Sequence, residues 1–335
     1  MTTILASDVG GTKTTLALYR SDGAAPFAVK HPLRQATFAS ADYASFEAIV
    51  AEFLAGAREP IAAASFGVAG PVLAGKAKIT NLPWTIDAER LKAELGGAWV
   101  SLLNDVEATA CGLAHLDAED FATLNAGTSQ ANGTMAVIAP GTGIGTAFLV
   151  WTGQSYRALP SEGGHVSFAP RTADECALLR FLEARFGHVS VERVASGTGI
   201  ANIYDFFAAL GRHPVPKALA AELAADDDPT PIIVRAALEA STPICSATLD
   251  LFVRVLGDVV GNVGLMLLAT GGVFLGGGMP PRLLARLRQP DFLEAVCDKG
   301  RFSAFCRDLP LHVVLDPQAA LHGAAHNAHA LTTST

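Results

Sequence analysis

The chain has 335 residues, half of them hydrophobic and 17% charged, with 32 glycines and a formal net charge of −8. This balance excludes a disordered or coiled-coil chain and suits a globular α/β enzyme of two domains or one large one. The acidic total and the lack of any Lys/Arg run leave no electrostatic footprint for nucleic acid or for an anionic membrane surface. An anionic ligand would therefore have to be held by local geometry.

In chain order, apolar strands are predicted near residues 4 to 9 and 14 to 19, on either side of Gly10-Gly11-Thr12. A helix follows from Tyr43 to Ala57, then a strand at "AASFGVAG", a helix near 87 to 95, and the strand "AWVSLLND", which turns directly into a helix. In that last element Asn104 is an N-cap candidate, and Glu107 stands three residues on, as a capping box requires. Val106, Thr109, Ala110, Leu113 and Ala114 supply the apolar face of the helix. After a less patterned stretch, "TMAVIAPGTGIGTAFLVW" gives a second pair of apolar strands about a Gly-Thr turn. Helices dominate from Ala173 to Leu268, and the loop "AADDDPTP" at 224 to 231 reads as solvated.

"SDVGGTKTTLALY" and "APGTGIGTAFLVW" share one pattern, strand, Gly/Thr turn, strand, which points to a duplicated unit with two phosphate-sized loops facing each other. Residues 259 to 281 carry no charge and are long enough to span a bilayer. Gly271-Gly272 divides them into the end of an amphipathic helix, Ser246 to Leu268, and a short buried strand, "VFLGGG". The first eleven residues, "MTTILASDVGG", lack the basic start and apolar length of a signal peptide. Five scattered cysteines without a C-x-x-C pair indicate neither a disulfide framework nor structural zinc, and suit a reducing cytoplasm.

Three glycine clusters could bring backbone N–H groups onto an anion: Gly10-Gly11-Thr12, Gly141-Thr142-Gly143-Ile144-Gly145, and Gly271-Gly272 with Gly276-Gly277-Gly278. "GGTKTT" lacks the Gly-Lys step of a P-loop, and "GTGIGT" has Thr146 where a dinucleotide fingerprint needs Gly or Ala. Glu162 and His165 flank Gly163-Gly164. In such a loop they suit vicinal hydroxyls better than a metal on a helix face, although a solvated turn would also carry them. Glu192 stands between two apolar residues, where a carboxylate needs a reason; an exposed strand face is the plainer one. His322, His326 and His329 share a helix face without a carboxylate or Cys among them and read as surface residues. "GTSQA" has Ala131 where a serine nucleophile elbow needs glycine.

The sequence resembles the bacterial glucokinases of the hexokinase and actin-like superfamily along nearly its whole length. "DVGGTKTTLAL" resembles that family's first phosphate motif, "PGTGIGTAFL" its second and "GGVFLGGGMPPRLL" its adenosine motif. "TNLPW", "LLNDVEATACGLA", "EGGHVSFAP" and "VERVASGTGIANIY" resemble its sugar-site segments. Two positions depart: Ala139 stands where glycine is frequent, and Lys13 where some relatives have Asn. Related sugar kinases with a Cys-rich zinc motif match less well, because only Cys176 lies in that stretch.

The resemblance implies a duplicated, two-domain RNase H-like fold with an interdomain cleft. Residues 1–115 plus 316–335 would form a small α/β domain and 116–315 a large one. It implies ATP-dependent phosphorylation of D-glucose at the 6-hydroxyl, with Asp105 as general base. Asn104, Glu162, His165 and Glu192 would hold the sugar. Asp8, Gly10, Gly11, Thr12, Lys13, Gly141, Thr142, Gly143, Gly145, Gly277 and Gly278 would hold the nucleotide, and Asp8 would help to place Mg²⁺ through water. A helix cap and a catalytic carboxylate are compatible at Asp105, since a helix N-terminus favours the charged, proton-accepting form. The same resemblance implies a cytoplasmic homodimer with no nucleic-acid or membrane partner. Two other readings remain at this stage: a kinase for another hexose or amino sugar, and a catalytically silent sugar sensor. Repressors of the latter kind carry a helix-turn-helix domain ahead of the first phosphate strand.

Overall fold

The structure is a computed structural model and describes residues 2–21, 27, 29–57, 59–79 and 81–333. Along the chain run Thr2–Val9 (β1), Lys13–Ser21 (β2), Arg34–Ala39 (β3), Phe46–Leu54 (α1), Ile61–Val68 (β4), Val72–Leu73 (β5), Lys76–Lys78 (β6), Thr85–Asp87 (β7), Ala88–Glu94 (α2), Trp99–Asn104 (β8) and Asp105–Leu113 (α3). Phe121–Asn125 (β9), Met135–Pro140 (β10), Ile144–Trp151 (β11), Tyr156–Ser161 (β12), Ala173–Phe186 (α4), Gly197–Leu210 (α5), Lys217–Ala224 (α6), Thr230–Leu238 (α7) and Pro243–Leu267 (α8) follow. Gly272–Leu275 (β13), Met279–Arg282 (α9), Leu284–Leu287 (α10), Pro290–Cys297 (α11), Ser303–Arg307 (α12), Leu311–Val314 (β14) and Ala319–Thr333 (α13) complete the order.

The chain divides into two compact units: Met1–Asp120 with Ala147–Pro160 and Asp316–Thr335, and Phe121–Thr146 with Ser161–Leu315. A five-stranded sheet has the order β3-β2-β1-β4-β8, and a six-stranded sheet the order β12-β11-β10-β13-β14-β9. The first five strands of the second sheet repeat the order of the first: an antiparallel meander followed by two parallel crossovers. The duplication suggested by the two Gly/Thr hairpins is thus present in the topology. Antiparallel β9 is added on one edge, in the stretch where the sequence showed little pattern.

Alternation along β1 explains the first sheet's two covered faces. Leu5 and Val9 turn to one side, where they pack with Phe46, Ile49 and Phe53 of α1 and with Phe66 and Trp84. Ile4 and Ala6 turn to the other, against Leu321, Ala324, Ala325 and Ala328 of α13. Helix α3 lies on α13 at a crossing that only glycine permits. A Cβ on Gly323 would stand 1.7 Å from the Ala108 carbonyl oxygen, and one on Gly112 2.6 Å from that of Ala319.

Several expectations need correction. The first helix begins at Phe46, because the Ser45 side chain accepts from the Ala48 N–H and caps it there, and it ends before Gly56, which has φ +80°. In α3 Ala108 is buried and Ala114 is exposed, because the helix ends at Leu113. Helix α8 starts at Pro243, whose fixed φ suits a first turn. Residues 191–193 form a 3-10 turn rather than an exposed strand.

The C-terminal histidines are not surface residues. His322 is buried and bonds Asp316 through Nδ1 at 2.8 Å. His326 stacks on His115 at 3.4 Å between centroids, and His329 stacks on Phe27. Their spacing places them on the apolar face of α13, where three-residue periodicity alone does not separate inside from outside. Among the described residues no helix is long and apolar enough to cross a membrane, and the cysteines are free.

Candidate active site

Strands β1, β4 and β8 run parallel, so Asp8, near the end of β1, and Asp105, just past β8, both lie at carboxyl ends of parallel strands, where open α/β sheets place ligands. The capping box at α3 is complete. Asn104 Oδ1 accepts from the Val106 N–H at 3.0 Å, and Glu107 Oε2 accepts from the Asn104 N–H at 3.3 Å. Asn104 Nδ2 also donates to the Gly70 carbonyl at 3.2 Å. The Asn104 amide is therefore a brace as well as a sugar-binding candidate, and one of its N–H bonds is already committed. Asp105 Oδ1 accepts from the Val106 N–H at 2.9 Å, which fixes the carboxylate at the positive end of the helix.

Burial pushes the Asp8 carboxyl up to about 6; the neighbouring Asp105 charge adds to the rise and Lys13 opposes it. The Asp105 carboxylate lies near enough for its charge to raise Asp8, and a hard cation beside the two oxygen donors relieves that repulsion. Mg²⁺ is commonly held by one or two carboxylates together with water and phosphate oxygens, so Asp8 and Asp105 fit such an ion. In the β1–β2 turn Gly10 N–H donates to the Lys13 carbonyl at 3.0 Å. Ser40 braces the turn, donating from Oγ to the Gly10 carbonyl at 2.8 Å and from its N–H to Thr12 O at 3.0 Å. Within the described residues the Gly11 and Thr12 amides have no backbone acceptor, which leaves them for an anion.

In the second unit, residues 166–168 pair with 189–191 through Phe168 N–H to Val189 O and Val191 N–H to Val166 O, each 2.9 Å. This pairing gathers the three polar candidates. His165 Nε2 lies 3.7 Å from Glu162 Oε2, and its Nδ1 lies 4.0 Å from Glu192 Oε1. Glu162 and His165 are exposed and Glu192 is half-buried. The other oxygen, Glu192 Oε2, accepts from the Ile144 N–H at 3.2 Å.

The β10–β11 turn is closed by Gly141 N–H to Gly143 O at 2.8 Å, and it is tied to the start of α5 by Gly197 N–H to Gly141 O at 2.7 Å and Thr198 N–H to Thr142 O at 3.2 Å. Beside it lies a cavity of about 930 Å³ whose lining includes Gly141, Thr142, Thr198, Thr230, Gly278 and Arg282, with Asp227 and Asp228. Of the expected nucleotide residues in this unit, Gly141, Thr142 and Gly278 line the cavity. Gly143 instead abuts Glu192, Gly145 lies within β11, and Gly277 turns the chain at φ +80°. Thr198, Thr230 at the start of α7 and the loop at 227–229 before it were not anticipated. The "SGTG" that opens α5 was a legible signal for the first, whereas the acidic loop resembles any solvated one. Of "TNLPW", Thr80 lies outside the described residues; Asn81 takes φ 65°, and Trp84 Nε1 donates to the Tyr43 carbonyl.

The sequence profile of the glucokinase family matches residues 5–331. The chain belongs to the glucokinase family. Among its relatives, the glucokinase of Trichormus variabilis is 37% identical over 97% of this chain and 98% of its own length. That of Aromatoleum aromaticum is 38% identical over 96% and 93%. The crystal structure of a glucokinase from an Antarctic psychrotroph superposes with a TM-score of 0.83 at 33% identity, covering 98% of this chain and 99% of that one. A glucokinase from Balamuthia mandrillaris, solved with glucose, shares the fold at a TM-score of 0.80 and 21% identity. A more distant sugar-kinase fold, that of a ROK family glucokinase from Streptomyces griseus solved with glucose and AMPPNP, gives 0.61 at 20%. Membership of the glucokinase family thus rests on relatives matched from end to end.

Proposed function

We propose that this protein transfers the γ-phosphoryl group of ATP to the 6-hydroxyl of D-glucose. The observation that carries the reading is Asp105, pinned at the N-terminus of α3 beside Asp8 and the first phosphate hairpin, in a chain matched by the glucokinase profile over residues 5–331. Asp105 accepts the proton of the 6-hydroxyl as that oxygen attacks the γ-phosphorus, and the bond to the β–γ bridging oxygen breaks to release ADP. Asn104, Glu162, His165 and Glu192 hold the other hydroxyls of the sugar. Once sugar covers them, polar partners of this kind reject a sugar that leaves them unpaired.

The Gly10–Thr12 and Gly141–Gly143 turns offer backbone N–H groups to the phosphates, and the cavity beside Thr142, Thr198 and Gly278 takes the nucleoside. When bound, Mg²⁺ supplies charge neutralisation to the phosphates, and Asp8 is the residue we assign to hold it, through water. A general base contributes about 10² to 10⁴ in rate, so positioning and fixed dipoles supply the larger part. We further assign the protein to the cytoplasm, where five unpaired thiols persist, and to a homodimer, which a mass measurement in solution tests.

The functional test is product formation from Mg-ATP with D-glucose, D-mannose and N-acetylglucosamine in parallel. Glucose 6-phosphate as the preferred product supports the reading. Preference for another sugar moves the specificity, and binding of sugar without turnover by any of them removes the enzyme.

A further inference from the structure

Glu192 stands where the sugar side and the phosphate side of the second unit meet, and its two oxygens face different ways. Oε1 is turned to His165, 4.0 Å from Nδ1. Oε2 accepts from the Ile144 N–H of the phosphate turn at 3.2 Å. The fit over that turn is close enough that a Cβ on Gly143 would stand 2.3 Å from Oε2. Main-chain bonds repeat the connection. The Glu192 carbonyl accepts from Ser196 Oγ at 2.7 Å, and Ser196 opens α5, whose Gly197 and Thr198 amides hold the Gly141 and Thr142 carbonyls.

We propose that Glu192 is a positioning residue that couples the two substrates, so that glucose on its Oε1 side tightens nucleotide binding at the Gly141–Ile144 turn. The proposal rests on the kinase reading above. Its sign follows from electrostatics. A carboxylate held against an anion-binding turn repels the phosphates that the turn must accept. Sugar hydroxyls donating to Oε1 disperse that charge and fix the carboxylate in the position that holds Ile144. Coupling between two ligands is reciprocal, so nucleotide must tighten glucose by the same factor.

The experiment is calorimetric titration of adenylyl imidodiphosphate, a non-hydrolysable ATP analogue, with and without saturating glucose, together with the converse titration. The wild type is expected to gain about fivefold or more in nucleotide affinity. In Glu192→Gln, at glucose concentrations that saturate the variant, the gain falls toward unity. Glu162→Gln, which alters a carboxylate that does not touch the turn, weakens glucose but keeps the gain. Gly143→Ala displaces the Glu192 carboxylate from the phosphate side and is expected to weaken glucose binding severalfold, which tests the connection even if Glu192→Gln fails to fold. A wild-type gain that survives in Glu192→Gln, equal affinities with and without glucose in the wild type, or unchanged glucose affinity in Gly143→Ala would each overturn the proposal. A wild type that binds neither ligand overturns the kinase reading itself, and the titrations show that outcome separately.

Discussion

Gly323 of α13 touches Ala108 of α3 so closely that a methyl group on Gly323 would sit 1.7 Å from the Ala108 carbonyl oxygen. Because α3 begins at Asp105, this contact sets the position of the helix that carries the proposed base. Gly323→Ala must push the two helices apart. Overpacking of this kind costs about 1–3 kcal/mol. Urea unfolding should show that loss, and kcat should fall with it. A variant as stable and as active as the wild type would mean that the contact positions nothing.

Asp8 gives a pH dependence with a definite sign. Its carboxyl, raised to about 6 chiefly by burial, keeps its proton in the folded protein while the unfolded chain has already released it. The folded state binds more protons between 3.8 and 6, so this group lowers stability as pH rises through that window and does so fully above it. Asp8→Asn is therefore expected to be more stable than the wild type at pH 7.5, by on the order of 1–3 kcal/mol, with the gain shrinking toward pH 4. In the wild type, kcat/KM should fall as pH drops through about 6 and Asp8 gains its proton. Equal stabilisation at both ends of the range would contradict this assignment.

The histidine stack titrates in the opposite sense. Burial chiefly, with help from His115, His329 and His322, pushes His326 down to about 3, and burial lowers His115 as well. The unfolded chain binds the proton first, so stability present above the unfolded value of 6.5 is lost as pH falls toward 3. Discounted for partial exposure, the loss is on the order of 1–2 kcal/mol. Because Asp8 acts in the opposite direction over the same range, the separation between melting temperatures at pH 5 and pH 8 should differ between the wild type and His326→Gln, the variant losing the share by which the wild type gains at pH 8. The same separation in both proteins would remove the stack as the cause.

Much of this was legible in the sequence because it depends on short-range rules. The cap at Asn104, the Gly/Thr hairpins and the strand-helix alternation each follow from local chemistry, and the duplicated sheet order follows from the repeated hairpin pattern. What was not legible depends on residues distant in sequence. His322 pairs with a carboxylate outside its own helix, and whether a histidine on α13 faces solvent or the sheet depends on which stripe of the helix packs there. Strand β9 gains its place only by lying on β14, far along the chain. Glu192 showed itself as a misplaced carboxylate, but its bond to the Ile144 amide depends on a turn that brings two segments together.

Transfer to glucose depends, in the proposed function, on Asp105 as the general base. The most direct test is the rate of glucose 6-phosphate formation by Asp105→Asn, which keeps the size of the side chain and an acceptor for the Val106 N–H, set beside its affinity for glucose measured by titration. The variant is expected to fold and to bind glucose within a few-fold of the wild type while kcat falls by about 10² to 10⁴. A variant that retains most of its kcat would show Asp105 to be a helix cap and no more.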